Sequence, residues 1–122
     1  MPNTILFAAT NMLIQQVISK RLSDEGYYVI TATDGIEAES LLMKNQEIDV
    51  LVTEELLPLK GGLELIALCN QLNIPSIIIS DADLESKILE AFDLGAYDFI
   101  DKPYSPNELV VRIKNIFKHY TK

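Results

Sequence analysis

Five short apolar runs recur along the chain and limit how it can fold: Ile5-Leu6-Phe7-Ala8-Ala9, Tyr28-Val29-Ile30, Val50-Leu51-Val52, Ser76-Ile77-Ile78-Ile79 and Phe99-Ile100. Runs this brief, rich in β-branched and aromatic residues, read as strands. They show no polar alternation, so both of their faces must be covered, which is the condition of a parallel sheet held between helical layers. The intervening stretches supply those layers. Ile14, Val17, Ile18 and Leu22 recur at helical spacing, as do Ala38, Leu41 and Leu42, then Leu63, Ile66 and Ala67, then Leu84, Ile88 and Phe92. Ser105-Pro106-Asn107-Glu108 joins a capping box to a proline at the first helical position, ahead of Leu109, Ile113, Ile116 and Phe117. Gly26 and Gly95 mark helix ends. Five βα units with right-handed crossovers give a doubly wound five-stranded parallel sheet with five helices, and a ligand or reaction belongs beyond the carboxyl ends of its strands.

The 122 residues suit one domain over 1–122, large enough to fold without a disulfide or a structural metal. An apolar share of 48% beside 23% charged residues is a globular balance. The formal net charge of -8 repels phosphate backbones and anionic lipid surfaces, which argues against direct nucleic-acid or membrane binding. Cys69, set among Ile66, Ala67 and Leu68, reads as a small buried apolar group. No apolar run approaches the roughly 18 residues of a membrane span, and Met1-Pro2-Asn3-Thr4 lacks a basic leader segment, so the expected location is cytoplasmic.

At the strand ends, Ala8-Ala9-Thr10-Asn11 carries neither the glycines of a dinucleotide fingerprint nor those of a phosphate-binding loop. The third strand runs into Thr53-Glu54-Glu55, then Leu56-Leu57-Pro58 and Gly61-Gly62; the fourth ends in Ser80-Asp81 and the fifth in Asp101-Lys102-Pro103. One hydroxyl, one ammonium and several carboxylates are thus expected at a single rim. His119 reads as a solvated helix-end residue that favours the dipole.

From Ile5 to Phe117 these features resemble the receiver domains of two-component response regulators, which have a flavodoxin-like fold. Glu54 stands four residues before Pro58, where that family has its phosphorylated aspartate. Ser80 matches the family's switch hydroxyl, Phe99 its aromatic switch and Lys102 its phosphate-contacting lysine, followed by Pro103 where a cis peptide is usual. The stretch Leu94-Gly95-Ala96-Tyr97-Asp98-Phe99-Ile100-Asp101-Lys102-Pro103-Tyr104 follows the family pattern closely. The resemblance implies a role in phosphorelay signalling, with output and dimerisation on the surface of the fourth helix, fifth strand and fifth helix. Here Lys87, Glu90, Asp98, Glu108 and Arg112 dress that surface.

Two departures redirect the expectation. Ala9 and Thr10 replace the adjacent acidic residues that would anchor Mg²⁺, a hard cation that prefers carboxylate oxygens. Glu54 carries its carboxylate one methylene further out than an aspartate, about 1 Å, and misplacement on that scale costs about a hundredfold where positioning supplies the catalysis. The expectation is therefore an atypical receiver that acts on protein partners, or on a second copy of itself, without phosphorylation, metal, cofactor or catalytic residues. Glu54 paired with Lys102 would partly imitate a phosphorylated aspartate. Against this, Lys102 would simply cap a cluster of Glu54, Glu55, Asp81 and Asp101, and Ser80 would bond nearby backbone. Two rival functions stay open: a conventional Mg²⁺-dependent phosphoacceptor, and a small-molecule sensor with its ligand in the emptied pocket.

Overall fold

In the computed structural model, which describes residues 3–44, 47–81 and 85–120, the described residues form five strands and five helices in strict alternation. They are β1 (Thr4–Ala8), α1 (Met12–Asp24), β2 (Tyr28–Ala32), α2 (Gly35–Lys44), β3 (Ile48–Glu54), α3 (Gly62–Leu72), β4 (Ser76–Ser80), α4 (Glu85–Asp93), β5 (Asp98–Asp101) and α5 (Pro106–His119). All strand pairs are parallel and the order is β2-β1-β3-β4-β5, the flavodoxin-like arrangement expected from the sequence.

Because successive strand residues point to opposite faces, each apolar run feeds two cores at once. Ile5, Phe7, Val50, Val52, Ile77, Ile79 and Ile100 pack on one face against Ile18 and Leu22 of α1 and Leu109, Ile113 and Ile116 of α5. Leu6, Ala8, Leu51 and Ile78 pack on the other against α2, α3 and α4, through Ala38, Leu42, Leu65, Ile66, Cys69 and Ala91. The central strands β1, β3 and β4 are buried on both faces almost throughout. The edge strand β2 departs from that expectation, with Tyr28 60% exposed, because no sixth strand or helix covers its outer side.

Three helices differ in phase from the sequence expectation. α1 buries Gln15, Ile18 and Leu22, while Ile14 and Val17 face outward. The buried stripe keeps i, i+3, i+7 spacing but begins on a polar residue. α3 buries Leu65, Ile66 and Cys69 and leaves Leu63 and Ala67 half-buried. In α4 the buried residue is Ala91; Ile88 is half-buried, Phe92 is 45% exposed, and Leu84 lies outside the described residues. α5 begins as expected, with Ser105 Oγ accepting the Glu108 N–H at 3.1 Å and Pro106 in the first turn. Gly26 and Gly95 take φ of +96° and +109° past the ends of α1 and α4.

The loop from β3 to α3 is fixed by a close backbone approach. Gly62 N donates to the Glu55 carbonyl at 2.8 Å, and a Cβ at Gly62 would fall 2.4 Å from the Glu54 carbonyl oxygen. Gly62→Ala is therefore expected to lower folding free energy by about 1–3 kcal/mol through overpacking. A drop in the urea midpoint with unchanged slope would report it.

Candidate functional site

The charged groups at the strand ends pair in two sets around one hollow, because side-chain alternation along β3 continues one residue past its end. Glu54 shares the phase of Val50 and Val52 and faces α1 and α5; Glu55 shares the phase of Leu51 and faces α4. On the first side, Lys102 Nζ stands 2.8 Å from Glu54 Oε2, and the Thr10 N–H donates to Glu54 Oε1 at 3.4 Å. Glu54 is 6% exposed while Lys102 is exposed, so the pair is buried on its carboxylate side and open to solvent on its ammonium side. The Lys102–Pro103 peptide is cis. Beside it Tyr104 is partly buried, and burial together with the nearby Glu54 charge pushes its phenol up to about 12.

Ala9 is fully buried, and its surroundings explain the position of Thr10. Gln15 Nε2 donates to the Ala9 carbonyl at 2.6 Å and to the Ala32 carbonyl at 2.9 Å, tying the ends of β1 and β2 to α1. Gln15 is the residue that sequence reasoning passed over. Its signal was there, a polar side chain in helical phase with Ile18 and Leu22.

On the α4 side, Ser80 Oγ donates to Glu55 Oε1 at 2.5 Å and Lys87 Nζ lies 3.1 Å from Glu55 Oε2. Lys87 thus reaches toward the strand ends instead of dressing the outer face. The single rim expected from the sequence is present, with Glu54, Glu55, Ser80, Asp81 and Lys102 around one hollow; within it Lys102 pairs with Glu54 while Lys87, from α4, pairs with Glu55. Asp81 and Asp101 are exposed. Among the described residues no three or more His, Cys, Asp or Glu side chains gather closely enough to hold a metal ion. On the outer face, Arg112 donates to both Asp98 oxygens, at 2.8 and 2.9 Å, and to Glu108 Oε2 at 3.0 Å. Glu90 is exposed, as is His119 at the end of α5, and Phe99 is half-buried against the core beneath α4.

Two hollows adjoin Glu54. One, of about 30 Å³, lies among Glu54, Glu55, Ser80, Asp81 and Lys102. The other is a cleft of about 570 Å³ between α1 and the β5–α5 loop, with Glu54 and Lys102 in its lining.

Residues 5–114 match the sequence profile of the response regulator receiver domain. The chain belongs to that family. A curated relative, the response regulator SaeR of Staphylococcus aureus, is 38% identical over 100 residues, covering 80% of this chain and 43% of its own length. The receiver domain described here thus spans less than half of the curated relatives it matches. Among solved structures, the receiver domain of a Francisella response regulator superimposes with a TM-score of 0.89 at 30% identity, covering 98% of this chain and 99% of that one. A two-component response regulator from Clostridium difficile shares the fold, with a TM-score of 0.90 at 21% identity over 98% and 99% of the two chains. Among the described residues no helix is long and apolar enough to cross a membrane.

Glu55 gives this receiver domain an acid-sensitive contact. Burial opposes its charge, but the Ser80 hydroxyl and the Lys87 ammonium more than offset that and hold its carboxyl below the ordinary value of 4.5. The stabilisation is then fully present above that unfolded-state value and is lost as pH falls through the lower folded-state one. At pH 7, Glu55→Gln is expected to cost about 1–3 kcal/mol, the scale of a hydrogen-bonded charge. That difference from wild type should shrink toward zero in urea titrations carried well below about pH 4.

Proposed function

We propose that this receiver domain works by phosphorylation-independent protein association and has lost the metal-assisted chemistry of its family. The observation that carries the reading is the Glu54–Lys102 pair, closed at 2.8 Å. The carboxylate in the phosphoacceptor position is already engaged by an ammonium and by the Thr10 N–H.

The donor set does not fit magnesium. Mg²⁺ requires a near-ideal octahedron of oxygens and keeps several waters. Here a buried methyl and an exposed threonine stand at the two anchoring positions, and the other inward carboxylate, Glu55, is occupied by Ser80 and Lys87. Phosphoryl transfer depends on positioning and charge neutralisation, and this donor set offers no carboxylate pair to hold the cation that would supply the second.

For association, the surface flanking β5 offers Leu89 and Phe92 from α4 and Val111 from α5, all exposed, near the Arg112–Asp98–Glu108 cluster. Apolar side chains around a satisfied charge network suit a protein partner or a second copy of the domain. That the chain spans under half of its curated relatives leaves the output of the whole protein within the same proposal.

An amide NMR titration with Mg²⁺, then beryllofluoride, tests the reading at Glu54, Ser80, Phe99 and Lys102. The expected outcome is no saturable shift at any of them. Saturable shifts of all four together would restore the phosphoacceptor reading.

A further inference from the structure

We propose that the cleft between α1 and the β5–α5 loop binds a small amphipathic cation, an apolar body carrying one ammonium or amidinium group. This rests on the metal-free reading above, since a hydrated ion at Glu54 would compete for the same charges.

The size and walls of the cleft point to a small organic ligand. Its volume of about 570 Å³ lies within the range of small-molecule sites, roughly 300–1,000 Å³. Leu13, Ile14 and Val17 line one wall, and Pro103 and Pro106 line the other. Leu13 is 68% and Val17 50% exposed, although the core-facing stripe of α1 is complete without them in Gln15, Ile18 and Leu22. These apolar groups therefore contribute nothing to the fold's interior. Exposed apolar residues gathered around a concavity are the mark of a contact site.

The polar groups select the ligand's charge. Glu54 and Lys102 are paired with each other, so together they present no net charge to an occupant. Asp81, exposed and in the same lining, leaves the cleft with a net charge of one negative. An apolar neutral molecule would cover that carboxylate and strip its water without replacing it, and an anion would add repulsion. The Tyr104 ring also lines the cleft, and an aromatic ring beside a carboxylate favours a cationic head. The chain's formal net charge of -8 acts in the same direction, concentrating cations at the surface and excluding anions. The apolar walls, in turn, exclude a bare metal ion as the natural occupant.

The test is an amide NMR titration of the whole chain with three probes of equal length, octylammonium, octanol and octanoate, each below its micelle-forming concentration. Octylammonium is expected to give saturable shifts at Ile14, Val17, Asp81, Lys102 and Tyr104, with affinity about tenfold or more above octanoate, the equivalent of one charge-assisted contact. Asp81→Asn should remove most of that preference and strengthen octanol binding, since no carboxylate then loses its water. Val17→Asn, at a half-exposed position that the core does not use, should weaken all three probes while preserving the rest of the spectrum. Equal affinity for the three probes, or retention of the cation preference in Asp81→Asn, overturns the proposal. So does the absence of saturable binding by any probe, which leaves the apolar walls to a protein partner and the metal-free reading intact. Repeating the titration with Mg²⁺ separates the two claims: displacement of octylammonium by Mg²⁺, with shifts of its own at Glu54 and Lys102, overturns both.

Discussion

A sheet covered on both sides allows no side chain at a strand end to be neutral about direction, and the rest of this molecule follows from that constraint. Each central strand sends alternate residues into two different cores, so the register of β1, β3 and β4 is fixed by hydrocarbon on both faces. A slip of one residue would exchange the two sets and bury Glu54 against α4. The pairing of Glu54 with Lys102, and of Glu55 with Ser80 and Lys87, is therefore decided by packing far from either carboxylate. The electrostatics decorate a geometry that apolar contacts have already set.

That ordering explains what could be read from the chain. The strands, the parallel order and the capping of α5 by Ser105 depend on local pattern and turn chemistry, and both are written in short windows of sequence. The same holds for Glu54, Ser80, Phe99 and Lys102, whose positions at strand ends follow once the strands are placed. Helix phase was less legible. In α1 the apolar residues Ile14 and Val17 compete with Gln15 for the inward stripe, and periodicity assigned them to the core. The structure places Gln15 inside because its amide bridges the Ala9 carbonyl and the Ala32 carbonyl, the latter also accepting the Ala9 N–H. Such a demand comes from the ends of two strands and cannot be seen in the helix alone.

The pairing within the rim was illegible for a related reason. Glu54 and Glu55 are neighbours in sequence and line one hollow, yet period-two alternation turns them toward different helices. Each then meets its own lysine, from β5's end in one case and from α4 in the other. Lys87 looked like surface dressing because its helix flanks the outer face; its long side chain can nonetheless reach inward, as lysine stems commonly do.

Lys87 also makes α4 unlike the other helices. The described residues of α4 fully bury a single side chain, Ala91, whereas α5 buries four, and the Lys87–Glu55 bridge fastens α4 to the end of β3. Hydrocarbon contacts are indifferent to dilute electrolyte, while a partly exposed ion pair weakens as the Debye length shortens. The two flanks of β5 consequently depend on salt to different degrees: α5 adds the Arg112–Asp98 pair to four buried side chains, while α4, with one, leans more on a contact that the surrounding salt can loosen.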